Sequence, residues 1–423
     1  MLRVLRAGAS DDDAAISALA RRAPAGDAAG DAAVEARVRE ILDDVRARGD
    51  FAVREWTLRI EGRRLERFEV DLGGGDDTTP PVRAAIEAAA TRIRAFHQRE
   101  ASAYTSFEID QGGVRVGLRV APLARVGVYV PGGKARYPST VLMAAIPARV
   151  AGVPDVVVVT PSPSPEVLFA ARVAGVSRVL ALGGAQAIGA LAYGTASVPR
   201  VDTIVGPGNA WVTCAKRLVA FEVGIDFLAG PTEVLVIADD AADARLIAAD
   251  LLAQAEHDEA ARPILVTPSA ELAARVAAEV ERQLADLPRR AIARVAVDGG
   301  AAIVVETIDD AVALANSIAP EHVEVHARDA RAIAARISKA GAIFIGAYSP
   351  EPAGDYMAGP SHVLPTGGAA RYASPLGVSN FLKRTSTIEY TREALAAQAA
   401  DIGRLAEVEG LSAHARAVAA RMT

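Results

Sequence analysis

The sequence predicts an α/β fold with parallel sheets covered by helices on both faces. Short β-branched runs recur from Arg125 onward, at Val126–Val130, Val156–Thr160, Val179–Leu182 and Thr203–Val205, then at Val234–Ala238, Ile264–Thr267, Ile303–Val305 and Ala342–Ile345. They are continuously apolar rather than alternating, and an Ala-rich segment of helical length follows them, the pattern of strands buried on both faces. Composition agrees, because hydrophobic residues make up 51% of the chain and aromatics only 4%, so the cores are built from Ala, Val, Leu and Ile. Val159-Thr160-Pro161-Ser162 is echoed by Val266-Thr267-Pro268-Ser269, each opening a helix. The match is short enough to be either a trace of two related units or coincidence.

The other elements follow in chain order. The N-terminus reads as a short acidic-capped helix to about Ala20, then a loose connection through Pro24 and Gly26 to Gly30. Val34 to Ile60 carries Val38, Ile41, Leu42 and Val45 at helical spacing and breaks at Gly49-Asp50, which predicts a helix pair. Gly73 to Pro81 is a loop, and a long helix is expected from Pro81 to about Ala103. From about Ser379 the chain reads as helical and polar with no strand signal, an appendage suited to docking on another subunit.

Several function classes are disfavoured by composition. The net charge is −6 with Lys and Arg scattered, which argues against a nucleic-acid groove. No apolar run approaches the ~20 residues that span a bilayer, and the start, Met1 to Arg6, lacks the apolar region of a signal peptide. A lone Cys214 rules out an internal disulfide. A soluble cytoplasmic α/β protein is expected.

Candidate chemistry begins at Ala319-Pro320-Glu321-His322-Val323-Glu324. Proline disfavours helix in the residue before it, so the carboxylate and imidazole of Glu321 and His322 are expected on a turn, a pair suited to proton transfer near neutral pH. Glycine-bearing turns at Gly127–Gly133, Gly183–Gln186, Gly206–Asn209 and Gly230–Glu233 fit either a nucleotide ligand or plain tight turns, and no Gly-x-Gly-x-x-Gly is present. Of six histidines, three have polar neighbours of metal-ligand character: His257 with Gln254, His362 with Asp355, and His414 with Glu409. Such N/O groups suit Zn²⁺ or Mn²⁺; spacing does not say which of them ligate, and side-chain chemistry favours Glu256 over Gln254, since neutral amides are unusual zinc ligands. His97 and His326 read as structural.

These segments resemble the L-histidinol dehydrogenase family. The resemblance rests on Val126–Gly133, Leu182–Ile188, Ile204–Asn209, Gly230–Asp239, Asp250–His257, Pro320–Glu324, Gly354–Gly368 and Leu411–His414, in the family's order, and runs from about Val34 to His414. It implies two incomplete Rossmann-like, aldehyde dehydrogenase-like α/β domains with small helical terminal pieces, in a homodimer with shared active sites. The corresponding division is a helical segment at 1–30, a discontinuous metal-bearing and catalytic unit at 31–124 and 234–378, an NAD-binding unit at 125–233, and a helical tail at 379–423. The family's zinc ligands fall on Gln254, His257, Asp355 and, from the second subunit, His414, which displaces Glu256 from that set. Its catalytic pair falls on Glu321 and His322, its further substrate contacts on Thr232, His362 and Glu409, and its NAD contacts on Tyr129, Gln186 and Asn209. Thr232 stands where many members have Ser and keeps the hydroxyl. The implied reaction is a zinc- and NAD-dependent four-electron oxidation of L-histidinol to L-histidine through an aldehyde, the last step of histidine biosynthesis. Cys214, with no histidine near it in sequence, reads as packing rather than as the nucleophile most aldehyde oxidations use. The competing readings are a related dehydrogenase of another amino alcohol or polyol, and a non-catalytic metal- or nucleotide-binding protein.

Overall fold

The computed structural model describes residues 2–20, 28–73, 77–132, 136–228 and 230–422. The connection expected at Pro24 and Gly26 and the centre of the Gly73–Pro81 loop lie outside these residues. The chain opens with β1 (Arg3–Arg6) and α1 (Ser10–Ala20), then α2 (Ala28–Arg48), α3 (Asp50–Glu61), β2 (Glu69–Val70) and α4 (Pro80–Ala101). An antiparallel pair, β3 (Phe107–Asp110) and β4 (Val114–Pro122), precedes a first α/β run. That run is β5 (Arg125–Tyr129), α5 (Pro138–Val150), β6 (Asp155–Val159), α6 (Pro165–Ala174), β7 (Arg178–Leu180), α7 (Gly184–Tyr193), β8 (Thr203–Val205), α8 (Ala210–Val219) and β9 (Gly224–Ile225). The second run is β10 (Glu233–Ala238), α9 (Ala244–Ala255), β11 (Arg262–Thr267), α10 (Ala270–Leu284), α11 (Arg290–Gly299), β12 (Ala301–Val304), α12 (Ile308–Ile318), β13 (His322–His326), α13 (Ala330–Ala334) and β14 (Ala342–Ile345). The chain ends with α14 (Glu351–Tyr356), β15 (Leu382–Tyr390), α15 (Arg392–Val408) and α16 (Ser412–Ala419).

The two runs share one topology. The first sheet has the order β2-β7-β6-β5-β8-β9 and the second β1-β12-β11-β10-β13-β14. Within each, five successive parallel strands are arranged third, second, first, fourth, fifth, the doubly wound order of Rossmann-like folds. The Thr-Pro-Ser echo falls at the same place in both, after the second strand, where Thr160 and Thr267 hydroxyls accept the N–H of Ser162 (3.4 Å) and Ser269 (3.1 Å). Helix patterning supplies the covers. On α10, Leu272, Ala273, Val276, Ala277, Val280 and Leu284 form one buried face, and Ser269 caps the start by accepting from the Leu272 N–H.

Four expectations are corrected. The N-terminus is not only helical: β1 is an edge strand of the second sheet, parallel to β12, with Leu5 and Ile16 in that sheet's core. Residues 31–124 do not join the metal-bearing unit, since Val38, Ile41, Leu42 and Val45 of α2 and Ile86, Ala89 and Ile93 of α4 pack on the first sheet. The tail begins with a strand, because β15 pairs with β4 along nine residues in a separate three-stranded sheet, β15-β4-β3. The Glu321-His322 pair is not on a free turn. Ala319, in the left-handed region at φ 54°, ends α12, and His322 already begins β13.

One buried ion pair fixes the loop after β8. Gly206 turns the chain at φ +109°, and a Cβ there would meet the Tyr129 carbonyl oxygen at 2.2 Å. Asp226 accepts the Gly206 N–H at 2.7 Å, and Lys216 from α8 donates to the Gly206 carbonyl at 3.1 Å while pairing with Asp226. Both side chains are almost fully buried. Losing one partner leaves the other charge buried and unpaired, so Lys216→Met is expected to lower unfolding free energy by about 3–5 kcal/mol, read from the denaturant midpoint.

Candidate active site

A cavity of about 230 Å³ lies where the carboxyl-terminal edge of the first sheet faces the amino-terminal edge of the second. From the first sheet it takes Pro131 after β5, Tyr137 and Thr140 at α5, and Pro207 and Gly208 after β8. From the second it takes Thr232 before β10, His257 after α9, Glu321 and His322 at β13, Glu351 and Asp355 of α14, and His362. Six of the sequence-selected residues therefore converge: Thr232, His257, Glu321, His322, Asp355 and His362.

Strand pairing brings the proton-transfer pair beside Thr232. β10 and β13 are parallel neighbours with Val234 opposite His322, so Thr232-Glu233 and Glu321-His322 sit side by side. The His322 Nδ1 donates to the Glu233 carbonyl at 3.0 Å, which leaves Nε2 as the ring's lone-pair nitrogen, buried and without a partner. Burial lowers the His322 pKa, so the ring stays neutral at neutral pH and can accept a proton. Glu321 takes two hydrogen bonds on one oxygen, from the Thr232 hydroxyl and from the Glu233 N–H at 3.0 Å. Burial outweighs both and pushes its pKa up to about 8. The result is a neutral base beside a carboxyl group that ionises near working pH.

A metal-ligand set lies next to this pair. Gln254 is fully buried on the last turn of α9; its Nε2 donates to the Thr232 hydroxyl at 2.6 Å, and its Oε1 has no partner. Ligand atoms of His257, Glu351 and Asp355 lie within 4.8 Å of one another. The carboxyl end of α9 adds the negative pole of its dipole, which favours a cation there. An orphaned amide oxygen beside a cluster of imidazole and carboxylates fits a zinc-type ion. Thr232 bridges the two halves, donating to Glu321 while accepting from Gln254. His362 is held with Nδ1 toward the Asp355 carbonyl (3.1 Å) and Nε2 toward the Thr140 hydroxyl (3.2 Å).

Not every selected residue reaches the cavity. Glu409, at the end of α15, and His414, on α16, are exposed and line none of it. Tyr129, Gln186 and Asn209 lie outside it, at the carboxyl-terminal ends of β5, β7 and β8. The Tyr129 hydroxyl accepts from the Gly184 N–H, Gln186 donates to Glu61 and keeps a buried Oε1 unpartnered, and Asn209 caps α8. A row of helix starts with an orphaned amide oxygen fits a dinucleotide along this edge. Cys214 is in α8, packed against the core of the first sheet, and does not line the cavity. Glu351 is the residue that motif reading missed. It is four positions before Asp355 on α14, a Glu-x-x-x-Asp spacing that puts both carboxylates on one helical face, and it too is buried with an unpartnered oxygen.

The raised Glu321 pKa has a stability consequence. The unfolded carboxyl ionises near the ordinary 4.5, whereas the folded one holds its proton up to about 8, so over that window the folded state binds more protons and stability falls as pH rises. The thermal midpoint of metal-stripped protein is expected to drop between about pH 5 and pH 8.5, and Glu321→Gln, neutral throughout, to show a shallower drop by calorimetry.

The chain is similar to known proteins over its whole length. A family model described as histidinol dehydrogenase matches residues 26–422. The chain is 50% identical to the histidinol dehydrogenase of Syntrophotalea carbinolica, covering 100% of this chain and 99% of that protein, and 50% identical to that of Aquifex aeolicus, with 92% of each covered. The crystal structure of histidinol dehydrogenase from Elizabethkingia anophelis superposes with a TM-score of 0.90 at 33% identity, covering 100% of this chain and 98% of that one. With a family model spanning nearly all of it and half its residues shared with full-length relatives, the chain belongs to the histidinol dehydrogenase family.

Proposed function

We propose that this protein oxidises L-histidinol to L-histidine with NAD, in two successive hydride transfers through the aldehyde, as the final step of histidine biosynthesis. The observation that carries the reading is the convergence of a neutral His322 Nε2, a carboxyl at Glu321 ionising near 8, and the His257–Glu351–Asp355 group in one cavity, with the unpartnered amide oxygen of Gln254 on the residue that also bonds Thr232. His322 Nε2 would take the hydroxyl proton as the first hydride leaves the carbinol carbon. Its Nδ1–H, fixed on the Glu233 carbonyl, keeps the ring in the required tautomer. The ionised Glu321 would then take a proton from water as that water adds to the aldehyde, and the hydrate loses the second hydride. Such positioned groups contribute about 10²–10⁴-fold each. Zinc held by Gln254, His257 and Asp355 would supply a fixed anchor for the substrate's amine and imidazole nitrogens. His362 stands at the cavity wall as a further contact for the imidazole end. NAD would lie along Tyr129, Gln186 and Asn209, with Pro207 and Gly208 leading its nicotinamide into the cavity. No cysteine lines the cavity, which accords with a water-based rather than a thiolate-based second step.

We propose in addition that the site is completed by a second copy of the chain. Glu409 and His414 face solvent beside exposed Leu405, Val408 and Leu411, an apolar stripe suited to burial against another subunit. A cytoplasmic homodimer follows from this reading. No helix among the described residues is long and apolar enough to cross a membrane.

The purified protein given histidinol and excess NAD is expected to release about two NADH per histidinol, with a chelator abolishing the activity and zinc restoring it. Free aldehyde accumulating at a single NADH would reject the four-electron reading. Mixing two inactive variants, Asp355→Ala and His414→Ala, after reversible dissociation should restore activity, because a heterodimer contains one site built from an intact body and an intact tail. Verified heterodimers that stay inactive would show that each site belongs to one chain.

A further inference from the structure

Inside the second sheet lies a polar cluster that the proposed chemistry does not use. Side chains two apart on a strand share a face, so His322, Glu324 and His326 of β13 all project to one side, where an interior strand would ordinarily present apolar residues. Positions 250, 254 and 257 recur at helical spacing, so Asp250 lies one turn below Gln254 on the same face of α9. The two faces meet. The His326 Nε2 is 3.3 Å from Glu324 Oε2 and 3.5 Å from Asp250 Oδ2, all three residues being buried. The second Glu324 oxygen accepts the N–H of Glu351 at 2.8 Å, the first residue of α14. Glu324 itself has no exposed surface.

Three elements that carry the cavity's functional groups are therefore tied to a single carboxylate. β13 presents His322, α9 presents Gln254 and leads into His257, and α14 presents Asp355. Their relative placement sets the separation of the groups expected to hold the metal. Two carboxyl groups and an imidazole in a sheet interior carry a large desolvation cost, and apolar residues of similar size would pack there without it. A fold that needed only a filled interior would not place them there.

We infer that Glu324 is a positioning residue. By bracing α14 through the Glu351 N–H and α9 through His326 and Asp250, it sets the spacing of Gln254, His257 and Asp355, and so the affinity of the site for its metal. The inference rests on the zinc reading above, but it assigns a role to residues outside the cavity. What matters on this view is the reach of Glu324 as an acceptor. Its charge is secondary.

Two substitutions separate reach from charge. Glu324→Asp keeps the carboxylate and withdraws it by one methylene from the Glu351 N–H, whereas Glu324→Gln keeps the length and a carbonyl acceptor. Zinc affinity of the full-length protein, measured by competition with a chromophoric chelator, is the readout. Leu272→Ala in α10, fully buried and outside the cavity lining, serves as a control for general loss of stability. Glu324→Asp is expected to bind zinc about tenfold or more weakly, in the range found when outer-sphere partners are lost, with Glu324→Gln close to wild type and Leu272→Ala unchanged. Wild-type affinity in Glu324→Asp, or an equal loss in Leu272→Ala, would overturn the positioning role while leaving the zinc reading in place. A wild-type protein that takes up no zinc would overturn both.

Discussion

The adjacency of β10 and β13 is the constraint on which the site depends. In a sheet ordered third-second-first-fourth-fifth, the first and fourth strands are neighbours although 88 positions separate Glu233 from Glu321 along the chain. That neighbouring register lets a backbone carbonyl, that of Glu233, choose the tautomer of His322, and lets the next amide, the Glu233 N–H, bind Glu321. Nothing local to the Glu-His pair could do this. The same pairing sets Thr232 against Glu321, and through its hydroxyl the amide of Gln254 is drawn into the network. Backbone geometry, not side-chain chance, therefore fixes which nitrogen of His322 faces the cavity.

The arrangement of the two sheets departs from the usual rule for open α/β folds, in which ligands gather beyond the carboxyl ends of strands. The first sheet fits it, since Tyr129, Gln186 and Asn209, the residues proposed to hold NAD, sit at or just past strand ends. The second sheet offers its amino-terminal edge instead. The reason lies in α9, which returns antiparallel to β10 and so delivers its own carboxyl end, with Gln254 and His257, to the start of the strands. A helix carboxyl end favours cations as a helix amino end favours phosphate. Two similar units turned edge to edge thus present opposite dipole poles to one cleft, and under the proposed reading these poles would separate an anionic dinucleotide from a metal without any need for different folds.

Much of this was legible in the chain because continuous apolar strands and helical periodicity are local signals. Eight β-branched runs from Val126 to Ile345 all became strands, and the convergence of Thr232, His257, Glu321, His322, Asp355 and His362 followed from short motifs. What escaped depended on partners distant in sequence. Arg3–Arg6 is too short and too polar to read as a strand, and it exists because β12 offers an open edge. Leu382–Tyr390 holds Lys383, Arg384, Thr385, Ser386 and Thr387 in one polar run before Ile388, with no apolar stretch to mark a strand, and the long β4 gives it a template. The grouping of 31–124 with the second unit failed because amphipathic helices state that they cover a sheet, not which one. Glu351 was overlooked for a comparable reason: a carboxylate at a helix start is ordinary until Asp355 and His257 are seen beside it.

The buried acids beneath the cavity show how cost and function are linked. Burial lifts the Asp250 pKa to about 8 and that of Glu233 to about 7, so at neutral pH these groups hold protons that an exposed carboxyl would have lost. A proton retained at Asp250 lets it share a hydrogen bond with Glu324 instead of repelling it, which makes a cluster of acids tolerable inside a sheet. Burial of the acids themselves raises these pKa values, while Val323 and Val325, fully buried on the opposite face of β13, pack the strand from its other side. Under the proposed roles stiffness there would matter, because His322, Glu324 and His326 share one face and any tilt of β13 would move the base and the brace together. The cost of burying the acids and the precision of the site thus have one origin, the placement of a polar strand face inside an apolar sheet.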